Sequence, residues 1–237
     1  MPAGRDRAER RLESALEALR TALRSLRVPW MVIGGIAVIA RGVRRLTTDI
    51  DVVIRGDAAA TERVMAALAK HGIEPRIADA AGFAADNLVL LMRHSPSGVD
   101  LDLSFGWTEF EHDALQKRET LAFGSVRVPM ARPEALVVFK ALAGRPKDLE
   151  DAATLVLLYQ DIDVAVVRKQ VKVLAQLAEE PELEGHLESI LATVGSHQSA
   201  GRGTADVADA TMIQKPGTRR KAKAAPKGRR RRRKRTP

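Results

Sequence analysis

Two aspartates stand one residue apart in the apolar segment 46–54. Side chains alternate between the faces of a β-strand, so we expect Asp49 and Asp51 on the same face, about 6 to 7 Å apart along the strand. Carboxylates this close repel each other unless a cation lies between them. Mg²⁺ prefers carboxylate oxygens and commonly shares its site with a substrate phosphate group. The spacing therefore predicts a divalent-cation site.

A pair of glycines precedes this segment. Gly34 and Gly35 follow the apolar run 28–33, and a short helix is predicted after them, over 36–42. Glycine allows close approach of the backbone to a ligand, and the first turn of a helix offers free N–H groups to an anion. A phosphate site beside a cation site indicates nucleotide chemistry.

A third carboxylate is available from a later segment. Residues 99–105 alternate between apolar side chains and the acids Asp100 and Asp102, and the turn 95–98 joins them to the apolar run 87–93. We expect a hairpin in which one strand presents Asp102 to the site, with Asp100 as the less favoured candidate.

The remaining patterns predict the elements that hold these residues. Their order predicts an α+β fold, with a mixed α/β core followed by a helical segment. The predicted helices are 5–27, 58–71, 107–118, 132–142, 147–159 and 164–180. Residues 73–77 are predicted as a further strand, and residues 121–128 as one strand or two short ones. Residues 78–86 are predicted as a loop.

The positive charge of the chain is concentrated at its C-terminus. The net charge is +9, but residues 215–237 contain thirteen Lys or Arg and no acid, so the remainder has 26 basic and 30 acidic residues, a net charge of −4. Residues 229–235 are seven consecutive cations. Such a run stays unfolded and binds RNA or DNA phosphates without base specificity. A tail that only increases solubility is the alternative.

Four regions and a cellular compartment follow from these patterns. They are an N-terminal helix (1–27), an α/β core (28–130), a helical segment (131–194) and a disordered Lys/Arg-rich tail (195–237). The absence of cysteine excludes disulfides and thiolate metal sites. The N-terminus lacks the apolar region of a signal peptide, and no apolar run is long enough to span a bilayer. We expect a cytoplasmic protein with no membrane partner.

Three segments together resemble a known superfamily. The first contains Gly34-Gly35, Arg45, Thr47 and the aspartate pair, and resembles the signature of the nucleotidyltransferases related to DNA polymerase β. More narrowly, it is similar to small prokaryotic members, the minimal nucleotidyltransferases and the abortive-infection (AbiEii-type) toxins. Residues 98–104 resemble the third-carboxylate strand of that group. Residues 133–151 resemble its helical segment of the form Lys … Arg-x-Lys-Asp-x-x-Asp.

The resemblance implies a fold and a role for each matching residue. The fold is a mixed β-sheet flanked by helices. The metal and the nucleoside triphosphate are expected at two sets of residues: Asp49, Asp51 and Asp102 as catalytic residues and ligands of Mg²⁺, which Mn²⁺ can replace, and Gly34, Gly35, Arg45, Thr47, Lys140 and Lys147 for the nucleotide. The roles of Asp148 and Asp151 stay open, between this site and the acidic first turn of a helix. Many members have serine where this chain has Gly35.

The function implied is transfer of a nucleotide from a nucleoside triphosphate to an acceptor. The acceptor is an RNA such as tRNA, bound with the help of residues 215–237, or a protein. By analogy, the protein is the toxin component of a toxin–antitoxin pair, with an antitoxin as partner. The alternative is a non-catalytic module with the same fold that binds nucleic acid through its basic tail.

Overall fold

A computed structural model describes residues 3–205, with side chains described for 7–57 and 59–199. Within this part, seven strands form one mixed sheet in the order β3-β4-β5-β2-β1-β7-β6. The strands are β1 Trp30–Val32, β2 Asp49–Arg55, β3 Ile73–Pro75, β4 Val89–His94, β5 Val99–Gly106, β6 Glu119–Phe123 and β7 Val126–Met130. The mixed pairing and the flanking helices confirm the predicted α+β class.

Helices follow or separate the strands along the described residues. They are α1 Ala3–Leu26, α2 Gly34–Ala40, α3 Thr61–Ala69 after a 3₁₀ turn at Ala58–Ala60, α4 Ala80–Asn87, α5 Glu109–Lys117, α6 Pro133–Ala143, α7 Pro146–Leu158, α8 Val164–Ala178 and α9 Glu182–Ala205. None of the described helices is both long and apolar enough to cross a bilayer.

The centre of the sheet positions the acidic residues. β2 pairs in parallel with β5, and the register aligns Asp49 with Asp100 and Asp51 with Asp102. On β5 the alternate residues Val99, Leu101, Leu103 and Phe105 are buried, so the acids between them face the other way. The same alternation on β2 buries Ile50 and Val52. Burial of one face therefore fixes where the carboxylates point.

Helix α1 connects two hairpins that are far from it in sequence. Arg11 Nε donates a hydrogen bond to the carbonyl of Ser97 in the β4–β5 turn at 2.5 Å. Glu13 accepts hydrogen bonds from the backbone N–H and the hydroxyl of Ser125, in the β6–β7 turn, at 3.2 and 2.6 Å. Leucines of α1 also enter the hydrophobic core, which takes side chains from the sheet and from α6 to α9.

Several predicted boundaries were wrong. The strand predicted over 46–54 begins only at Asp49, because residues 44–48 form a loop in which the Thr47 hydroxyl hydrogen-bonds to the Asp49 carboxylate. The helix predicted over 36–42 begins at Gly34. The loop predicted over 78–86 contains α4, since the Asp79 carboxylate caps it by accepting from Gly82 N–H and Ala84 is buried against the core. Residues 121–128, in contrast, form parts of two short strands, which confirms the second of the two predicted alternatives.

The C-terminal helix extends further than the sequence predicts. Residues 195–205, which were assigned to a disordered tail, lie in α9. Its buried side chains Leu183, Leu187, Ile190 and Val194 recur at helical spacing, although the last helix that the sequence predicts ends at 180. The rest of the predicted tail, with the basic run 215–237, lies outside the described residues. The division into four regions stays a prediction.

Candidate active site

A cavity of about 640 Å³ lies beside the carboxylates of β2 and β5. Its walls come from the loop before β2, the start of α2, and the facing ends of α6 and α7. The lining includes every residue that the sequence predicts for metal or nucleotide: Gly34, Gly35, Arg45, Thr47, Asp49, Asp51, Asp102, Lys140 and Lys147. Arg145 and Asp148 line it as well. Residues more than a hundred positions apart in sequence are thus brought to one cavity.

Gly34 is required by both its conformation and its surroundings. Its φ is +58°, in the left-handed region that favours glycine. A Cβ at this position would overlap the Asp51 carboxylate oxygen Oδ2. The neighbouring Ile33 N–H donates to the Asp51 carbonyl at 2.9 Å, which holds the two segments together. Gly34 therefore makes room for Asp51 at the cavity wall.

Gly35 makes room for Thr47. A Cβ at residue 35 would overlap the Thr47 hydroxyl, which fills the space that a larger residue would occupy. That hydroxyl donates to Asp49 Oδ1 at 2.7 Å. The site therefore has a hydroxyl next to the glycine pair, supplied by the loop before β2. The hydrogen bond from Thr47 also fixes the orientation of the Asp49 carboxylate.

We call Asp49, Asp51 and Asp102 the carboxylate cluster. Burial is the main cause that raises the pKa of Asp51 to about 6; the charges of Asp49 and Asp102 raise it further, against Lys140 and Arg145. Burial likewise raises the pKa of Asp102, an effect that Arg76 opposes. The charged forms of Asp51 and Asp102 are therefore disfavoured first by burial and then by neighbouring carboxylates. Perturbed acids in a cavity are typical of functional sites.

Arg76 is a residue of the site that the sequence analysis missed. It follows β3, and its Nη2 lies 2.5 Å from Asp102 Oδ1 while its Nη1 lies 3.0 Å from Asp100 Oδ2. Asp100 is also held by Arg93 on β4, with Nε at 2.6 Å from Oδ1. The hydrogen bond from Arg93 is the largest cause that lowers the pKa of Asp100. No local motif marks Arg76; the strand order β3-β4-β5 brings it to Asp102.

The donor atoms of the carboxylate cluster suit a divalent cation, but its three side chains are not arranged as a metal site in this structure. Its donors are hard oxygens, and β2 and β5 align them across the sheet. Among the described residues, however, no three His, Asp or Glu side chains are grouped so as to hold a metal ion. Asp102 is turned to Arg76. Asp49 and Asp51 line the cavity without such a guanidinium partner in the ion pairs described above.

A second set of charges forms the opposite wall. We call Lys140, Asp148, Asp151, Arg45 and Arg145 the ion-pair network. The buried Lys140 Nζ lies 2.5 Å from Asp148 Oδ1 and 3.1 Å from Asp151 Oδ2. Arg45 pairs with Asp151, and Arg145 Nε lies 2.5 Å from Asp148 Oδ2. Each carboxylate of the network thus has two cationic partners, which joins the loop before β2 to α6 and α7.

The turn between α6 and α7 places basic side chains at the cavity. Gly144 ends α6 in the left-handed conformation, and Pro146 begins α7 at its first position. The side chain of Arg145, between them, is 76% exposed. Lys147 Nζ donates to the Leu46 carbonyl at 3.3 Å. Arg145 and Lys147 therefore stand at the cavity as cations, whereas Lys140 is buried and paired.

A family model described as "Nucleotidyltransferase of unknown function (DUF6036)" matches residues 10–186. No curated protein matches the chain.

Solved structures with a similar fold have low sequence identity. The solution structure of the antibiotic-resistance factor ANT(2'')-Ia is 13% identical, with 83% of this chain and 96% of that chain covered and a TM-score of 0.46. An antigenic nucleotidyltransferase-like protein from Paracoccidioides brasiliensis is 19% identical, with coverages of 76% and 92% and a TM-score of 0.44. JHP933 from Helicobacter pylori is 11% identical, with coverages of 82% and 94% and a TM-score of 0.45.

Proposed function

Because the chain belongs to this DUF6036 family of nucleotidyltransferases, we propose that the cavity transfers a nucleotide from a nucleoside triphosphate to an RNA or protein acceptor. One observation carries the proposal: the residues predicted for metal and for nucleotide line a single cavity, with the carboxylate cluster on one wall and basic side chains on the other. A nucleoside triphosphate with its cation has the complementary pattern of charge, since the cation would face the carboxylates and the phosphates would face the basic side chains. The proposed metal ligands are Asp49, Asp51 and Asp102.

Each proposed role follows from a side chain's position. Asp49 and Asp51 hold the cation, Mg²⁺ or Mn²⁺, and the Thr47 hydroxyl keeps Asp49 oriented. Arg145 and Lys147 bind triphosphate oxygens at the cavity. When bound, a divalent cation neutralises the triphosphate and makes the attacking hydroxyl more acidic. Lys140 lowers the negative potential at Asp51 from its buried position.

The transfer itself is an in-line displacement at the α-phosphorus. The acceptor oxygen forms a bond to phosphorus, the bond from the α-phosphorus to the bridging oxygen breaks, and pyrophosphate leaves with that oxygen. The acceptor's proton passes to a carboxylate oxygen of Asp102. Phosphoryl chemistry of this kind depends on charge and positioning more than on covalent assistance from the protein. The residues of the cavity supply both.

RNA, with tRNA as the specific form, is the acceptor we favour, because residues 215–237 carry thirteen cations and no acid. The narrower assignment, an AbiEii-type toxin with an antitoxin partner, is part of this proposal and rests on the sequence resemblance. A protein acceptor is the variant that needs no basic tail. Deleting 215–237 separates the two, since it should abolish transfer to RNA and leave transfer to a protein unchanged.

A non-catalytic nucleic-acid-binding module is the second candidate. It is favoured by the pairing of Asp102 with Arg76, which leaves the carboxylate cluster without three free ligands. Against it stands the clustering of the carboxylates, in which the charges of Asp49 and Asp102 act on Asp51, since a module without a cation gains nothing from such repulsion. This candidate predicts RNA binding without label transfer.

The test is incubation of the full chain with each α-³²P-labelled nucleoside triphosphate, Mg²⁺ or Mn²⁺, and total cellular RNA and protein. We expect label on an RNA band, and loss of that label in Asp49→Ala/Asp51→Ala. The matched control is Asp113→Ala, which removes an exposed carboxylate paired with Lys117 on α5, away from the cavity. Absence of label with every nucleotide, together with retained RNA binding, would favour the non-catalytic module.

A further inference from the structure

We propose that Arg76 is a positioning residue that competes with the divalent cation for Asp102, so that the third carboxylate joins the metal site only when Arg76 releases it. The inference rests on the proposed function, because it assumes that the carboxylate cluster binds a cation. It assigns a role to a residue outside every motif of the sequence.

The position of Asp102 sets up the competition. It lies directly across from Asp51 in the β2–β5 register and lines the cavity. Its Oδ1 is nevertheless 2.5 Å from Arg76 Nη2, where the guanidinium neutralises part of its charge. A cation shared with Asp51 needs the same carboxylate oxygens. One carboxylate cannot fully satisfy both positive partners, so binding of one weakens binding of the other.

Asp100 allows Arg76 to leave without losing all its partners. Arg76 Nη1 already lies 3.0 Å from Asp100 Oδ2. Arg93 holds Asp100 at two points, with Nε 2.6 Å from Oδ1 and Nη2 3.2 Å from Oδ2. Asp100 is therefore a fixed anchor beside the cavity. When Asp102 turns to a cation, Arg76 keeps its second ion pair, and the exchange costs only one half-exposed contact.

The backbone of Arg76 is fixed while its side chain exchanges. Its N–H donates to the Leu91 carbonyl at 3.0 Å, which continues the β3–β4 pairing by one residue. The exchange thus needs rotation of two side chains and no movement of a strand. As a result, the affinity of the metal-free site for a cation is set below that of three unpaired carboxylates. A nucleotide-bound cation, with phosphate oxygens as additional ligands, overcomes this difference more readily than the free ion.

The test measures Mn²⁺ binding to the full chain without nucleotide, from the EPR signal of the free ion. We expect Arg76→Gln to bind Mn²⁺ about 3- to 10-fold more tightly than wild type, as removal of a half-exposed ion pair allows. Arg76→Lys keeps the charge and should stay within about 2-fold of wild type. The matched control is Arg93→Gln, which removes an arginine bound to the same Asp100 but not to Asp102. It should change affinity by less than about 2-fold.

Different failures have different meanings. Unchanged or weaker Mn²⁺ binding in Arg76→Gln, or equal tightening in Arg93→Gln, overturns the role of Arg76. The proposed function is kept in that case if the wild type binds Mn²⁺ and Asp49→Ala/Asp51→Ala does not. Absence of Mn²⁺ binding in wild type, with and without nucleoside triphosphate, overturns the proposed function itself.

A second measurement does not depend on the folding of Arg76→Gln. In the wild-type chain, the arginine Nε–H NMR signal that is lost in Arg76→Lys should shift on addition of saturating Mg²⁺ with a nonhydrolysable nucleoside triphosphate. A signal that does not move would overturn the inference.

Discussion

Two groups of charged side chains lie at one cavity, and they differ in how their charge is balanced. In the ion-pair network each buried carboxylate contacts two cations. In the carboxylate cluster the acids contact one hydroxyl and one guanidinium, and they repel one another. The buried pairs of the network are complete without a ligand, so they hold α6, α7 and the loop before β2 together. Under the proposed function, a bound cation balances the charge of the cluster.

The pKa directions express the same difference. Burial acts to raise the pKa of Asp148, but hydrogen bonds from Arg145 and Lys140 outweigh it and the pKa is lowered. Burial also raises the pKa of Asp51, and there the neighbouring carboxylates increase the effect, to about 6. Two mostly buried aspartates of one cavity thus shift in opposite directions. Burial alone therefore does not decide the direction of the pKa shift; the charges around each acid do.

The largest expected effect is on catalysis in the carboxylate cluster. Asp51→Asn keeps the size of the side chain and removes its charge, so nucleotide transfer should fall by about 1000-fold or more, as loss of a metal ligand does. The rate of label transfer at saturating nucleotide measures it. Asp148→Asn, in the ion-pair network, should lower the free energy of unfolding but should reduce the rate of transfer much less than Asp51→Asn does. Equal losses of transfer in the two variants would remove the distinction between the groups.

The ion-pair network should respond mainly in stability. Lys140→Met leaves Asp148 and Asp151 without their shared buried cation, and loss of one partner from a buried ion pair costs about 3 kcal/mol. Urea denaturation measures the free energy of unfolding. As a control, Lys117→Met breaks an exposed pair with Asp113 and should change it by less than about 1 kcal/mol. A stable Lys140→Met variant would contradict the structural role.

The pH dependence of stability should reveal the charge of the cluster. The pKa of Asp51 rises from 3.8 to about 6 on folding, so the folded chain binds this proton more tightly than the unfolded chain. The resulting stabilisation is present below about pH 4 and is lost as the pH rises through about 6. In EDTA at pH 7, Asp51→Asn should therefore be more stable than wild type by about 2 kcal/mol. The difference should fall below about 1 kcal/mol at pH 4, and a constant difference would contradict the raised pKa.

The smallest expected effect separates two glycines of similar conformation. Gly34 and Gly98 have φ values of +58° and +67°. A Cβ at Gly34 overlaps the Asp51 carboxylate, whereas one at Gly98 lies 3.0 Å from the flexible end of Arg11. Both alanine variants bear the cost of the left-handed backbone, but Gly34→Ala should lose about 1 kcal/mol more in thermal unfolding. It should also lose transfer activity that Gly98→Ala retains.

The sequence predicts residues that follow a local period better than residues brought together by topology. Alternation located Asp49, Asp51 and Asp102, since a buried strand face determines the direction of its other face. The role of Arg76 was not predictable, because it depends on the order of three strands. Helix α4 was missed because its alanines and glycine have little apolar contrast. The pairing of Lys140 was missed because the spacing of a lysine and later acids along two helices does not tell which acids the lysine contacts.

The contacts of α1 have a consequence for the order of folding. This helix precedes both hairpins in the chain, but its hydrogen bonds reach Ser97 and Ser125, 86 and 112 residues further along. Helix α1 also packs on α3, which comes before the hairpins, so part of its apolar face can be covered earlier. Its remaining contacts wait for both hairpins, since non-local contacts must close long loops before they stabilise anything. Complete docking of α1 therefore belongs to a late step, and a chain arrested before residue 125 lacks the hydrogen bonds to the second hairpin.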